Sequence, residues 1–185
     1  AWVERGGVLI SIGSGSRLIT EAEAGFLASR REDAVARDEA EAASSREIAS
    51  HEAYLELTTH RTGSPDSVAG VLAKAVVDPE HWLSAGVANE VYVMVRGSDI
   101  YTPLTREQGT NVVRFAQSDQ LLASGQLWEE NRRQLAFKPV AMANELGRGQ
   151  VIAFTQDVTM RAFLEGLKPL FLNAVFRGPA HTNRE

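Results

Sequence analysis

Residues Val8-Leu9-Ile10-Ser11-Ile12 form a short uncharged run, entered through Gly6-Gly7 and left through Gly13-Ser14-Gly15-Ser16. Apolar residues at nearly every position, rather than at alternate ones, fit a strand buried on both faces, as in parallel sheets. The glycine and serine cluster behind it reads as a tight turn opening a helix. Glycine reaches left-handed backbone without strain, and serine caps free N–H groups. In α/β proteins this turn lies at the carboxyl end of the strand, where ligands and reacting groups collect. A chain using the turn covalently places Cys or Ser at its apex with a base nearby. Here the apex is Gly13, and the 185 residues include no cysteine. The residues by themselves predict an α/β domain that is not catalytic alone.

The chain is long enough to bury a core as one domain, and 44% hydrophobic with 23% charged residues is a globular balance. A net charge of −5 and the lack of a Lys/Arg stripe give no reason to expect nucleic acid. No apolar stretch approaches the roughly 20 residues that cross a bilayer. Zero cysteines exclude disulfides, thiolate catalysis and cysteine-ligated zinc, but do not choose a compartment. Ala1-Trp2-Val3-Glu4-Arg5 reads as the last turns of a helix stopped by Gly6, which predicts a piece of a longer polypeptide.

Along the chain, Arg17 to about Arg31 reads as a helix, with Leu18, Ile19, Ala22, Phe26 and Leu27 on one face. Residues 30–60 turn rich in alanine and charge, which predicts an exposed, charged helical insertion with little to dock on a core. After the Thr62–Asp66 loop, strand-like runs follow at Val71–Val77, Glu90–Val95, Asn111–Phe115, Ala136–Met142 and Gln150–Phe154. Pro139 marks its run as an edge or a bulge. Thr159 is expected to cap a final helix through Val175, kinked at Pro169 and ended by Gly178-Pro179. Strands clustered between helices suggest a mixed sheet covered by helices.

Four constellations can be weighed for chemistry. His51, His60, His81 and His181 form no zinc motif: His51-Glu52 has Leu55 where a second histidine is needed. No metal site is expected in this chain. Gly13-Ser14-Gly15 is not a nucleophile elbow, and no motif supplies Ser14 with a histidine. Ser14, Ser16 and Arg17 open a helix with free N–H groups, two hydroxyls and a guanidinium, a candidate site for an anionic or glycan ligand. Asp157, after the strand ending at Phe154, joins them as a candidate ligand contact or a helix-starting residue.

Trp2-Val3-Glu4-Arg5-Gly6-Gly7-Val8-Leu9-Ile10-Ser11-Ile12-Gly13 resembles the segment before the active-site turn of class I glutamine amidotransferase-like domains. In that family the nucleophilic cysteine falls on the position of Gly13. The family's Phe-His-Pro-Glu signature corresponds here to Phe154-Thr155-Gln156-Asp157, so the base position holds Thr155. Further stretches resemble the C-terminal region of bacterial zinc carboxypeptidase-like proteins. They are Val95–Asp99, Leu122–Gly125, Trp128–Asn131, Gly147–Gly149 and Phe171–Phe176. There a carboxypeptidase A-type domain precedes a degenerate amidotransferase-like domain.

The resemblance implies one amidotransferase-like domain over residues 1–185, with a three-layer, flavodoxin-like α/β sandwich and a mostly parallel sheet between helices. Gly13 and Thr155 become degenerate catalytic positions. The chain itself carries no cofactor; zinc belongs to an upstream peptidase domain of the same polypeptide. Function then reads as a non-catalytic accessory domain that positions substrate or mediates assembly, including a homo-oligomer. The alternative is a small-ligand or glycan-binding module using the Gly13–Arg17 turn. A periplasmic or secreted location is favoured over the cytoplasm.

Overall fold

A computed structural model of the chain describes residues 2–32, 67–160 and 164–182. One seven-stranded sheet organises them: β1 (Val8–Ile12), β2 (Val68–Val77), β3 (Glu90–Gly97), β4 (Thr110–Phe115), β5 (Leu122–Ser124), β6 (Pro139–Leu146) and β7 (Gly149–Phe154). The order is β1-β7-β6-β4-β2-β3, with β5 also on β2. β1 and β7 are parallel, Val8 facing Gln150 and Ile12 facing Phe154. Every other described pairing is antiparallel.

This overturns the expected three-layer, flavodoxin-like or amidotransferase-like sandwich with a mostly parallel sheet. Parallel neighbours need a long crossover between them, whereas antiparallel ones join through short turns. The connections after Val68 run from two to fourteen residues, and the shortest of them is a hairpin turn. β6 and β7 are joined by Gly147 and Arg148 alone, with Leu146 facing Gly149. Gly147 has φ +61°, and a Cβ there would lie 2.8 Å from the Glu4 backbone, so the turn requires glycine. Helices are also fewer and shorter than expected. Among the described residues they are α1 (Ser16–Thr20), α2 (Glu129–Leu135) and α3 (Lys168–Phe176).

The helix expected from Arg17 to Arg31 stops at Thr20, whose hydroxyl bonds back to the Ser16 and Arg17 carbonyls. That back-bonding competes with further helical turns. The chain then runs irregularly to Glu32, tied to the 100–102 segment by Glu32 N–H to Ile100 O (2.8 Å) and Ser29 Oγ–H to Thr102 O (2.6 Å). Leu18, placed on the apolar face by spacing, is 65% exposed. Pro139 opens an interior strand at a register shift, so the bulge is found and the edge is not. Pro169 lies in the first turn of α3 and does not kink it; the missing N–H costs nothing there. Thr159 caps no described helix, and the charged insertion lies almost wholly outside the described residues.

Two apolar clusters hold the sheet. On one face Ile152, Phe154, Ala141, Phe115, Ala75 and Val93 are buried under Leu167, Leu170 and Ala174 from the α3 region. On the other, Val151, Ala153 and Met142 are covered by Val3, Ile19, Leu27, Tyr101 and Leu104. β7 is buried at all six positions, which fits the apolar run Val151–Phe154, while Gln150 donates to the His181 carbonyl at 2.8 Å.

Candidate functional site

The parallel pairing of β1 with β7 decides what lies at their carboxyl ends. Because Ile12 faces Phe154, the following residues, Gly13 and Thr155, leave neighbouring strands side by side. Gly13 takes φ +55° and opens a single 3-10 turn, Gly13–Gly15, that feeds α1. This is the strand–turn–helix expected from the sequence, with no side chain at its apex. Thr155 is buried, and its hydroxyl donates to the Pro139 carbonyl at 2.9 Å.

The other residues singled out by sequence are placed as follows. Ser14 is exposed on the turn. Ser16 is fully buried; its hydroxyl donates to Phe154 O at 2.9 Å and lies 3.0 Å from the Ser11 hydroxyl. Those bonds clamp the turn to the end of β7. Arg17 projects to solvent and is held by Asp99 through Nε (3.0 Å) and Nη2 (2.8 Å) to Oδ2. Arg31 Nε reaches the same carboxylate at 3.0 Å. The Asp99 carboxylate raises the Arg17 pKa further above its ordinary value. Asp157 is exposed and accepts from the Thr159 N–H (2.8 Å) and hydroxyl (2.7 Å), a local turn of its own. The four candidate residues therefore split: two hold local structure, one is ion-paired, and the Ser14 hydroxyl has no partner among the described residues.

Beside this cluster lies Tyr101, fully buried, with a hydroxyl that has no hydrogen-bond partner among the described residues. Burial pushes its pKa up to about 12, and Asp99 adds to the rise while Arg17 and Arg31 oppose it. Nothing in the Ile100-Tyr101-Thr102 sequence marks this.

His81 and His181 do approach each other, across Trp82. Trp82 and His181 stack with ring centroids 4.3 Å apart and planes 10° apart. His81 Nδ1 accepts the Leu83 N–H at 3.2 Å, starting the 3-10 turn Trp82–Ser84. Burial lowers the His81 pKa, and His181 lowers it further against the pull of Asp78. His51 and His60 lie outside the described residues. Among the described residues, no group of three or more His, Asp or Glu side chains could hold a metal ion. No described helix is long and apolar enough to cross a membrane.

A groove of about 760 Å3 runs along β4, walled by Val76 to Pro79, Pro103, Leu104, Arg106, Arg114 and Phe137. Sequence reasoning missed it. Its walls come from separate segments, so no spacing along the chain brings these residues together. Compared with family models, characterised proteins and solved structures, the chain matches none.

Proposed function

We propose that this chain is a non-catalytic accessory domain of a larger zinc metallocarboxypeptidase-like protein, where it positions substrate or mediates assembly. The observation that carries the reading is the state of the β1 and β7 ends. The position suited to a nucleophile holds Gly13, and the hydroxyl beside it, on Thr155, is committed to the Pro139 carbonyl. A buried hydroxyl donating to a carbonyl is neither a base nor an acceptor for a nucleophile's proton. The local strand–turn–helix and the adjacency of Gly13 to Thr155 support the resemblance in this region. Zinc and peptide hydrolysis, on this reading, belong to another part of the parent protein.

Binding of a glycan or small anion at the Gly13–Arg17 turn requires Arg17 to exchange Asp99 for the ligand. The ion pair counts against that alternative. The test compares zinc-dependent release of C-terminal residues from peptides by the parent protein with and without residues 1–185. A fall in turnover, or a change of assembly state, on removal supports the accessory role. Full activity with an unchanged assembly overturns it.

A further inference from the structure

The turn from α2 into β6 places an aromatic residue where the backbone favours glycine. Lys138 N–H donates to Leu135 O at 3.0 Å, closing a four-residue turn. Ala136 has φ −52° and ψ 129°, and Phe137 has φ +62°. These are the angles of a type II turn, whose third position calls for glycine. Phe137 is the one described non-glycine residue with positive φ. Its ring does not go into the core to offset the strain, since it is 54% exposed. Strain kept without a packing return points towards a use for the side chain.

That ring stands at the groove along β4. The Arg114 guanidinium carbon lies 5.9 Å from the ring centroid. Arg106 lines the same groove from the 103–109 loop. Neither arginine makes an ion pair with a described carboxylate, whereas Arg17, Arg31 and Arg133 all do. The far wall is built firmly: Asn111 Oδ1 accepts the Leu104 N–H (3.0 Å) and its Nδ2 donates to Leu104 O (2.8 Å), fastening the loop to β4. The volume of about 760 Å3 is that of a small-molecule site.

We propose that this groove binds a small molecule made of a flat apolar ring and a carboxylate or phosphate, the ring on Phe137 and the anion on Arg114 and Arg106. Guanidinium groups suit both kinds of anion, and their planes also stack on rings. Asp78 also lines the groove, at the end of β4 that the Arg106 loop enters, and its carboxylate accepts the Glu80 N–H at 3.0 Å. This inference stands apart from the accessory role and needs no parent protein.

The test is calorimetric titration of the intact chain with benzoate, phenyl phosphate, acetate and inorganic phosphate. The ring-bearing anions are expected to bind at least tenfold tighter than their ring-free counterparts, and the preferred pair identifies carboxylate or phosphate. Arg114→Gln is expected to weaken binding at least tenfold. Phe137→Gly is expected to remove the ring-dependent gain while leaving the fold intact, because glycine adopts this φ freely. Arg106→Gln provides a second, exposed position that does not bear on folding. Failure of both ring-bearing probes to bind, equal affinity for ring-free anions, or affinity unchanged in all three variants overturns the proposal.

Discussion

Replacing Ser16 by alanine isolates the bond that joins the turn to the sheet. The Ser16 hydroxyl is fully buried, donates to Phe154 O and is the hydrogen-bond partner of Ser11, itself 7% exposed. Ser16→Ala removes the bond to the carbonyl and also orphans the Ser11 hydroxyl. Leaving buried polar groups unpaired costs about 1–3 kcal/mol, and about 2 is expected here. Ser11→Ala leaves Ser16 still bonded to Phe154 O, so about 0.5–1 kcal/mol is expected. The double variant should be no worse than Ser16→Ala, because the orphaned hydroxyl is gone. The cycle therefore closes with a coupling of about 1 kcal/mol. Urea unfolding followed by fluorescence of Trp2, Trp82 and Trp128 measures all three variants. In a domain of this size, about 2 kcal/mol lowers the melting temperature by roughly 4–8 °C. A change below about 0.5 kcal/mol for Ser16→Ala, or strict additivity, refutes a structural role and returns Ser16 to the ligand candidates.

Tyr101 should titrate near pH 12 by tyrosinate absorbance. Its folded pKa is raised above the unfolded value near 10, so its contribution is full below pH 10. That contribution is lost as pH climbs from 10 through 12. Tyr101→Phe, which deletes a hydroxyl without a partner among the described residues, should remove this alkaline loss without lowering stability at pH 7; a fall above 1 kcal/mol contradicts the assignment. His81 has a lowered folded pKa, so its contribution is present above about pH 6.5 and lost as pH falls below that. His81→Asn, which keeps a cap acceptor, should flatten the acid limb of the melting-temperature profile, and an unchanged limb speaks against it. Gly149→Ala should prevent stable folding, because its Cβ would run into the Val3 and Gly7 carbonyls, whereas Gly7→Ala meets only the exposed Trp2 ring and should be far milder. Similar melting curves for the two contradict that packing.

What the sequence revealed divides by range. Strands β2, β3, β4 and β7 were visible because apolar runs bounded by glycine, proline or aspartate report burial locally. The strand–turn–helix at Val8–Thr20 was visible for the same reason, along with the stop at Gly6, whose φ is +110°. Strand pairing was not visible. A buried apolar run such as β7 reads as parallel whether its partners are parallel or not, and β7 has one of each. Helix propensity after Arg17 lost to the back-bonding of Thr20 and to contacts with the 100–102 segment, which lies some 70 residues away. Arg17 looked available because Asp99, which holds it, is 82 residues distant. In sequence Gly13 and Thr155 each follow the carboxyl end of an apolar run; the β1–β7 register is what makes them neighbours. The groove had no local signal beyond Phe137 before Lys138-Pro139, and its significance lies in a backbone angle.

The most direct test of the central claim is hydrolysis by the chain itself. Residues 1–185 are incubated with glutamine, with an activated ester and with a peptide, with and without added zinc, alongside Ser14→Ala. The expected result is no turnover above the uncatalysed rate for either protein. Turnover by the unaltered chain that Ser14→Ala abolishes would mean that the Gly13–Gly15 turn carries a working nucleophile, and the non-catalytic reading would be wrong.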